Sequence, residues 1–154
     1  MKITDLKVIS LGRASVIRID TDEGIYGYGE AHCPKQQVMF LKRFILGEDP
    51  TNVEKVLRKI RHRGAFKPFG TQVSGIEMAL WDIAGKAAGL PVYKLIGGKV
   101  RDKVRVYCDC GSGVRLDPED PKSAFSPEAY AEKARRRLKL PQGFTILKFD
   151  IGFH

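Results

Sequence analysis

The chain has 154 residues, of which 43% are hydrophobic, and this is enough apolar sequence to form a globular core. No apolar run reaches the length needed to cross a bilayer. The N-terminal residues also lack the basic, apolar and small-residue segments that follow one another in a secretory signal. We therefore expect a cytoplasmic protein with no membrane partner. The formal net charge of +9 leaves a nucleic-acid partner open.

Basic residues are concentrated in two runs, at residues 58–67 and 135–137. Such runs are typical of proteins that bind nucleic acids. In the second run, however, the arginines follow Glu128 and Glu132, and this order complements the dipole of a helix. The helix interpretation is favoured, and a non-catalytic basic module that binds nucleic acid is the alternative.

Alternating apolar and polar residues predict strands at the start of the chain. The alternation occupies two segments that flank a short turn at Gly12, and residues 25–30 continue it after a second turn. We expect an antiparallel meander of three strands. Gly27 and Gly29 in the third strand leave room for another backbone or a loop to approach closely.

Three amphipathic helices are predicted after the meander. The first occupies residues 34–46, and each of the others begins at a capping-box pair. The pairs are Thr51 with Glu54 and Ser74 with Glu77. Because each helix has one apolar face, we expect the three helices to cover one face of the meander.

The pattern changes after Gly98. Residues 104–108 and 144–150 are predicted strands, and residues 126–140 between them are a predicted helix. A strand, a helix and a second strand with one crossover form a βαβ unit, whose strands are parallel. One such unit cannot close a barrel, which takes about eight strands and roughly 250 residues.

The three cysteines are Cys33, Cys108 and Cys110. They cannot all pair within one chain, so we expect reduced thiols. A zinc site near His32 is the alternative, but the Cys-x-Cys spacing differs from the Cys-x-x-Cys pair that is usual for zinc. Packed core cysteines are the favoured interpretation.

Three segments, in order along the chain, resemble one known family. Residues 21–31 end in Gly-x-Gly-Glu, residues 69–98 match a long signature, and residues 148–150 look like a Lys-x-Lys strand. The chain resembles the N-terminal part of the enolase superfamily, in its mandelate racemase and muconate lactonizing enzyme branch. The resemblance implies an α+β capping domain at residues 1–98, with a three-stranded meander plus helices. It also implies that residues 99–154 are the first βαβ unit of a modified TIM (β/α) barrel.

The resemblance further implies a chemistry. Family members remove the proton next to a substrate carboxylate, and Mg²⁺ stabilises the enediolate that forms. Their metal ligands are carboxylates on later barrel strands, so no metal ligand is assigned in this chain. We expect a small sugar acid as substrate and a symmetric homo-oligomer. The remainder of the barrel would lie in the same or another polypeptide, and this chain alone is expected to be inactive.

Lys148 and Asp150 are the predicted catalytic residues. Because strand side chains alternate, both project to one side at the carboxyl end of the last predicted strand, where TIM barrels place catalytic groups. In the resembling family the first lysine of Lys-x-Lys lies beside the substrate carboxylate, and the second lysine is the base. Lys148 matches the first position, and Asp150 replaces the second. This departure favours a sugar-acid dehydratase over the alternatives, a racemase or cycloisomerase of the same superfamily.

Two loops of the capping domain select substrates in the resembling family. One lies in the first hairpin, which is shortened here to an almost minimal turn at residues 11–15. The other corresponds to residues 31–35, where His32 and Lys35 are predicted to bind an acidic substrate.

Overall fold

The computed structural model describes residues 1–12, 14–64 and 70–151. The chain divides into two compact units, of which the first is Met1–Val100 and the second begins at Arg101. Among the described residues, no helix is both long and apolar enough to span a membrane.

Parts of three features identified in the sequence lie outside the described residues. Arg13 belongs to the turn of the first hairpin. Residues 65–69 include the end of the first basic run and the first residue of the long family signature. Residues 152–154 are the end of the predicted barrel segment.

The first unit is built on an antiparallel sheet of three strands in the order β1-β2-β3. The strands are β1 (Ile3–Leu11), β2 (Ala14–Thr21) and β3 (Tyr26–Ala31). Ile17 at the centre of β2 lies opposite Val8 of β1 and Gly29 of β3. The predicted meander is therefore confirmed.

Helices cover one face of this sheet. They are α1 (Lys35–Ile45), α2 (Val53–Gly64), α3 (Thr71–Ala88) and the short α4 (Val92–Leu95). The apolar faces of α1, α2 and α3 enclose a single core with the inward side chains of the strands, as predicted. Large side chains that are less than 2% exposed come from β1, β2, α1, α2 and α3: Leu6, Ile17, Ile19, Leu41, Ile45, Leu57, Ile60, Ile76, Leu80 and Ile83.

Neither predicted capping box forms. The hydroxyl and backbone N–H of Thr51 donate to Asp49 Oδ1 at 2.7 and 2.9 Å. Helix α3 begins at Thr71, so Ser74 lies inside its first turn and donates to the carbonyl oxygen of Gly70 at 3.4 Å. The prediction that α3 starts at Ser74 was wrong, because an extended Gly70 precedes the helix in place of a side-chain cap.

Helix α3 lies in direct backbone contact with β3. A Cβ atom at Gly29 would collide with the carbonyl oxygen of Gly75, and one at Gly27 would collide with that of Ala79. Only glycine fits at these two positions of β3. The predicted close approach of another backbone is confirmed, and it fixes where α3 lies on the sheet.

Helix α3 also supplies partners for the border of the sheet at β3. Asp82 Oδ2 accepts from the backbone N–H of Tyr28 at 3.0 Å, and Lys86 Nζ donates to the carbonyl oxygen of Tyr26 at 2.7 Å. Asp82 and Lys86 also pair with each other at 2.7 Å. The outer backbone groups of an edge strand have no neighbouring strand to pair with. At two positions of β3, side chains of α3 supply the hydrogen-bond partners instead.

The second unit contains a parallel pair of strands connected through helices. Its elements are β4 (Cys108–Asp109), a 3-10 helix (Pro121–Phe125), α5 (Pro127–Leu138) and β5 (Leu147–Lys148). The hydroxyl of Ser126 caps α5 by accepting from the backbone N–H of Ala129 at 3.2 Å. The predicted order and parallel pairing are confirmed, although the paired segments are shorter than the predicted strands. This is the part of a βαβ barrel unit that the structure shows.

Candidate functional site

Charged side chains meet at the carboxyl ends of β4 and β5. The parallel register places Asp109 opposite Lys148. Two residues further along each segment, the backbone N–H of Asp150 donates to the carbonyl oxygen of Gly111 at 3.0 Å. These backbone bonds hold Asp109, Lys148 and Asp150 at one edge of the parallel pair, where such sheets carry their sites.

Lys148 lies between two carboxylates. Its Nζ atom donates to Asp109 Oδ2 at 2.9 Å and lies 3.3 Å from Asp150 Oδ1. The three side chains are 46%, 58% and 57% exposed, so the cluster is open to solvent. The structure thus brings Lys148 and Asp150 together, as their spacing predicts, and their catalytic role stays a prediction.

These contacts set the protonation of the cluster. The hydrogen bond to Asp109, with a second contribution from Asp150, raises the pKa of Lys148 above its ordinary value of 10.5. The same bond, together with the backbone N–H of Gly111, lowers the pKa of Asp109 below its ordinary value of 3.8. Lys148 therefore stays a cation near neutral pH and is unsuited to accept a proton.

The sequence pattern does not identify Asp109 as a site residue. It lies 39 positions before Lys148, and the two meet only through the parallel register of β4 and β5. The available signal was its place at the end of the first strand of a βαβ unit, because neighbouring parallel strands end at the same edge.

Helix α5 holds the end of β5. The hydroxyl of Tyr130 donates to the carbonyl oxygen of Asp150 at 2.8 Å. The ring of Tyr130 also packs against that of Phe149 in an edge-to-face arrangement, with 5.5 Å between the centroids. These contacts fix the backbone from which Lys148 and Asp150 project.

His32 and Lys35 lie in the first unit, where β3 ends and α1 begins. His32 Nε2 lies 3.0 Å from Glu30 Oε1, and Lys35 is the exposed first residue of α1. Both line an open cleft of about 580 Å³. Its other described lining residues come from the first hairpin and from the segment after β3: Ser10, Gly12, Ser15, Cys33 and Pro34.

The cleft is therefore formed by both of the loops that the sequence indicates. The hydroxyl of Ser15 donates to the carbonyl oxygen of Cys33 at 3.2 Å and connects the two loops directly. The role of His32 and Lys35 in substrate binding stays a prediction.

The cysteines are free thiols. Cys108 and Cys110 are buried, and burial raises the pKa of the Cys110 thiol. Within residues 1–12, 14–64 and 70–151, no group of three or more His, Cys, Asp or Glu side chains is arranged to hold a metal ion. The described residues thus do not fit a three-carboxylate magnesium site.

Two arginines of the second basic run are paired within α5. Arg135 and Arg136 lie 3.2 and 2.8 Å from the carboxylate oxygens of Glu132. The run occupies the last turn of the helix, where positive charge complements the helix dipole. The predicted helix is confirmed.

Comparisons with known proteins identify the family and the fold of the chain. Residues 5–97 match the family described as mandelate racemase / muconate lactonizing enzyme, N-terminal domain. A D-galactonate dehydratase family member from Marinomonas sp. is 41% identical over 166 residues, covering 99% of this chain and 38% of the relative. The D-xylonate dehydratase of Haloferax volcanii is 35% identical over 144 residues, covering 88% of this chain and 32% of the relative.

A solved structure shows the same fold. The 3,6-anhydro-D-galactonate cycloisomerase from Zobellia galactanivorans has a TM-score of 0.77 and 27% identity, covering 99% of this chain and 44% of that one. The chain spans about a third of the length of the curated relatives described above. Because the matching domain covers more than half of its residues, the chain belongs to the mandelate racemase and muconate lactonizing enzyme family of the enolase superfamily.

Proposed function

We propose that this chain supplies the capping domain and the first barrel strands of a sugar-acid dehydratase, which is a lyase. Its relatives at 35% and 41% identity are a D-xylonate dehydratase and a member of the D-galactonate dehydratase family. Residues 1–98 are proposed as the capping domain and residues 99–154 as the start of the barrel. Further residues, in the same or another polypeptide, complete the enzyme.

The observation that carries the proposal is the Lys148 ammonium at the carboxyl ends of β4 and β5. Removal of the proton next to a carboxylate places additional negative charge on the carboxylate oxygens. A cation fixed beside these oxygens lowers the energy of the charged intermediate. Lys148 suits this role because its neighbours keep it protonated, and another group must then take the proton.

Asp150 is the proposed acid/base partner of Lys148. It stands where the resembling racemases have a lysine base, and its carboxylate lies 3.3 Å from Lys148 Nζ. Dehydration removes a proton from the carbon next to the carboxylate and a hydroxyl group from the following carbon. A base takes the proton first, the departing hydroxyl group then accepts a proton from an acid, and the net loss is one water molecule. The resulting enol tautomerises to a 2-keto-3-deoxy acid.

Mg²⁺ is the proposed cofactor, because a divalent cation stabilises the enediolate formed from a weakly acidic carbon. Its ligands are proposed on later barrel strands, since the described residues of this chain do not form a ligand set. His32 and Lys35 are proposed to contact the acidic substrate. A cytoplasmic location and a symmetric homo-oligomer complete the proposal.

A cycloisomerase is the second candidate, because the Zobellia cycloisomerase shares the fold at 27% identity. It starts from the same proton removal but rearranges the substrate without losing atoms. The mass of the product therefore distinguishes the two candidates.

The test uses the enzyme that contains this chain with a complete barrel, incubated with Mg²⁺ and either D-galactonate or D-xylonate. Mass spectrometry of the product is expected to show the loss of one water molecule. Conversion with an unchanged mass would favour an isomerisation, by a cycloisomerase or a racemase, and no conversion of any sugar acid would contradict the proposal.

Lys148→Ala is expected to lower kcat by about 100-fold to 1,000-fold, because it removes a charge that stabilises the intermediate. Binding of Mg²⁺, measured by titration calorimetry, should change little. Lys139→Ala, which removes an exposed lysine at the end of α5, is the matched control and should keep full activity. Retained activity of Lys148→Ala would remove Lys148 from the mechanism.

A further inference from the structure

We infer that Asp109 is a positioning residue for Lys148, and that it holds the lysine ammonium at the carboxyl ends of β4 and β5. The inference rests on the proposed function, because it concerns the same site. The inference also assigns different roles to the two carboxylates. Asp109 holds the lysine in place, and Asp150, which has the longer contact with the lysine, faces the substrate.

The contact distances favour this division. Lys148 Nζ lies 2.9 Å from Asp109 Oδ2 and 3.3 Å from Asp150 Oδ1. The other oxygen of Asp109, Oδ1, accepts from the backbone N–H of Gly111 at 3.3 Å. Both oxygens of Asp109 therefore have partners, and its carboxylate is oriented before any substrate binds.

The backbone fixes the spacing of this pair. Asp109 and Lys148 are direct register partners, and neighbouring strands lie about 4.8 Å apart. Two 2.9 Å bonds flank the pair, from the N–H of Cys108 to Ile146 and from the N–H of Cys110 to the carbonyl oxygen of Lys148. Asp109 thus reaches the ammonium without any movement of the main chain.

The charge of the cluster explains why the two carboxylates differ. One ammonium cannot neutralise two carboxylates, so one negative charge is left over. Because Asp109 has the shorter contact and a second partner at Gly111, the excess charge belongs mainly to Asp150. Asp150 is therefore the carboxylate that is less engaged with Lys148 and is left to face a substrate.

The position of the pair indicates what removing Asp109 should change. Both side chains are about half exposed, and exposed ion pairs contribute little to folding stability. The orientation of a catalytic group affects rates far more strongly. Replacement of Asp109 should therefore alter the reactivity of Lys148 and the turnover, while the protein stays folded.

The first experiment uses the 154-residue chain and needs no activity. Trace acetylation at mildly alkaline pH, followed by mass spectrometry, measures the reactivity of Lys148 relative to that of the exposed Lys139. In Asp109→Asn the relative acetylation of Lys148 is expected to rise about twofold to fivefold, because an ion-pair partner is lost. Asp117→Asn, which neutralises an exposed acid whose Oδ1 accepts from a backbone N–H, is the matched control and should change nothing. Unchanged acetylation of Lys148 in Asp109→Asn would overturn the inference.

The second experiment measures kinetics in the enzyme with a complete barrel. Asp109→Asn should lower kcat by about tenfold to 100-fold without raising KM, because Lys148 keeps its charge but loses its fixed position. Asp109→Glu should recover part of kcat, and circular dichroism should show that both variants are folded. A raised KM with unchanged kcat would overturn the inference. If the unsubstituted enzyme converts no sugar acid, the proposed function fails, and the acetylation experiment still decides the role of Asp109.

Discussion

The two units of the chain bury their apolar side chains to very different extents. In Met1–Val100, large residues such as Leu80 and Ile76 are completely buried between the sheet and the helices. In the second unit the buried apolar residues among those described are small: Cys108, Cys110, Ala124 and Ala129. Val104 and Val106, which precede β4, are 69% and 61% exposed.

The first unit therefore has its own core, whereas the second unit has apolar residues at its surface next to β4. Exposed apolar surface of this kind is typical of segments that pack against further structure. It supports the proposal that β4 and β5 belong to a larger barrel. Stability is therefore expected to depend on the first unit, whereas the proposed chemistry depends on Lys148 in the second.

The largest expected effect comes from opening the core of the first unit. Leu80→Ala should lower the free energy of unfolding by about 2–5 kcal/mol, because a fully buried side chain of α3 is lost and a cavity remains. Trp81, the single tryptophan of the sequence, lies in the same helix, so its fluorescence during urea unfolding reports on this unit. Met78→Ala, at a 47% exposed position of α3, is the matched control and should cost much less.

The contrast between the units is sharpened by Val106→Ala. Because Val106 is exposed, its replacement should change the free energy of unfolding by no more than about 0.5 kcal/mol, measured by circular dichroism in urea. A loss as large as that of Leu80→Ala would show that the second unit has a core of its own, and the comparison would be wrong.

The second largest expected loss of stability comes from disturbing the backbone contact between β3 and α3. Gly29→Ala should destabilise the first unit by about 1–3 kcal/mol, because the added methyl group forces the helix away from the strand. Urea unfolding followed by Trp81 fluorescence is again the measurement. Glu30→Ala, at the neighbouring exposed position of β3, is the control. Equal unfolding midpoints for the two variants would contradict the tight contact.

The smallest effect is a pH dependence carried by Glu48. Hydrogen bonds from Lys59 at 2.6 Å and then Lys55 at 3.2 Å lower the pKa of Glu48 below its ordinary value of 4.5. Its contribution to stability is therefore complete above the ordinary pKa and is lost as the pH falls through the lowered one. Unfolding free energies of Glu48→Gln measured across this acidic range should depend less on pH than those of the unsubstituted chain. Glu54→Gln, which removes an exposed carboxylate early in α2, is the control variant.

Local patterns in the sequence were sufficient to predict most of the first unit. Period-two alternation predicted the meander, and one apolar face per helix predicted how α1, α2 and α3 cover it. Gly27 and Gly29 predicted the close backbone contact that α3 makes. The start of α3 was not predictable from Ser74 and Glu77, because a capping box is only one of several ways to begin a helix.

The candidate site was only partly predictable, because its residues come from two strands. The spacing of Lys148 and Asp150 places them on one side of a strand, and the structure shows them 3.3 Å apart. Asp109 joins them only through pairing between segments 39 residues apart. No local pattern contains the register of a parallel pair, so a single sequence does not reveal this contact.

The side chains of Asp82 and Lys86 have a consequence for how copies of this protein can associate. They bind the outward N–H of Tyr28 and the outward carbonyl oxygen of Tyr26. An additional strand therefore cannot form its backbone hydrogen bonds at these two positions. Growth of the sheet by edge-to-edge addition is thereby blocked at this point. A symmetric assembly of such molecules would therefore form by side-chain packing, or at other surfaces, and not by strand addition at Tyr26 and Tyr28.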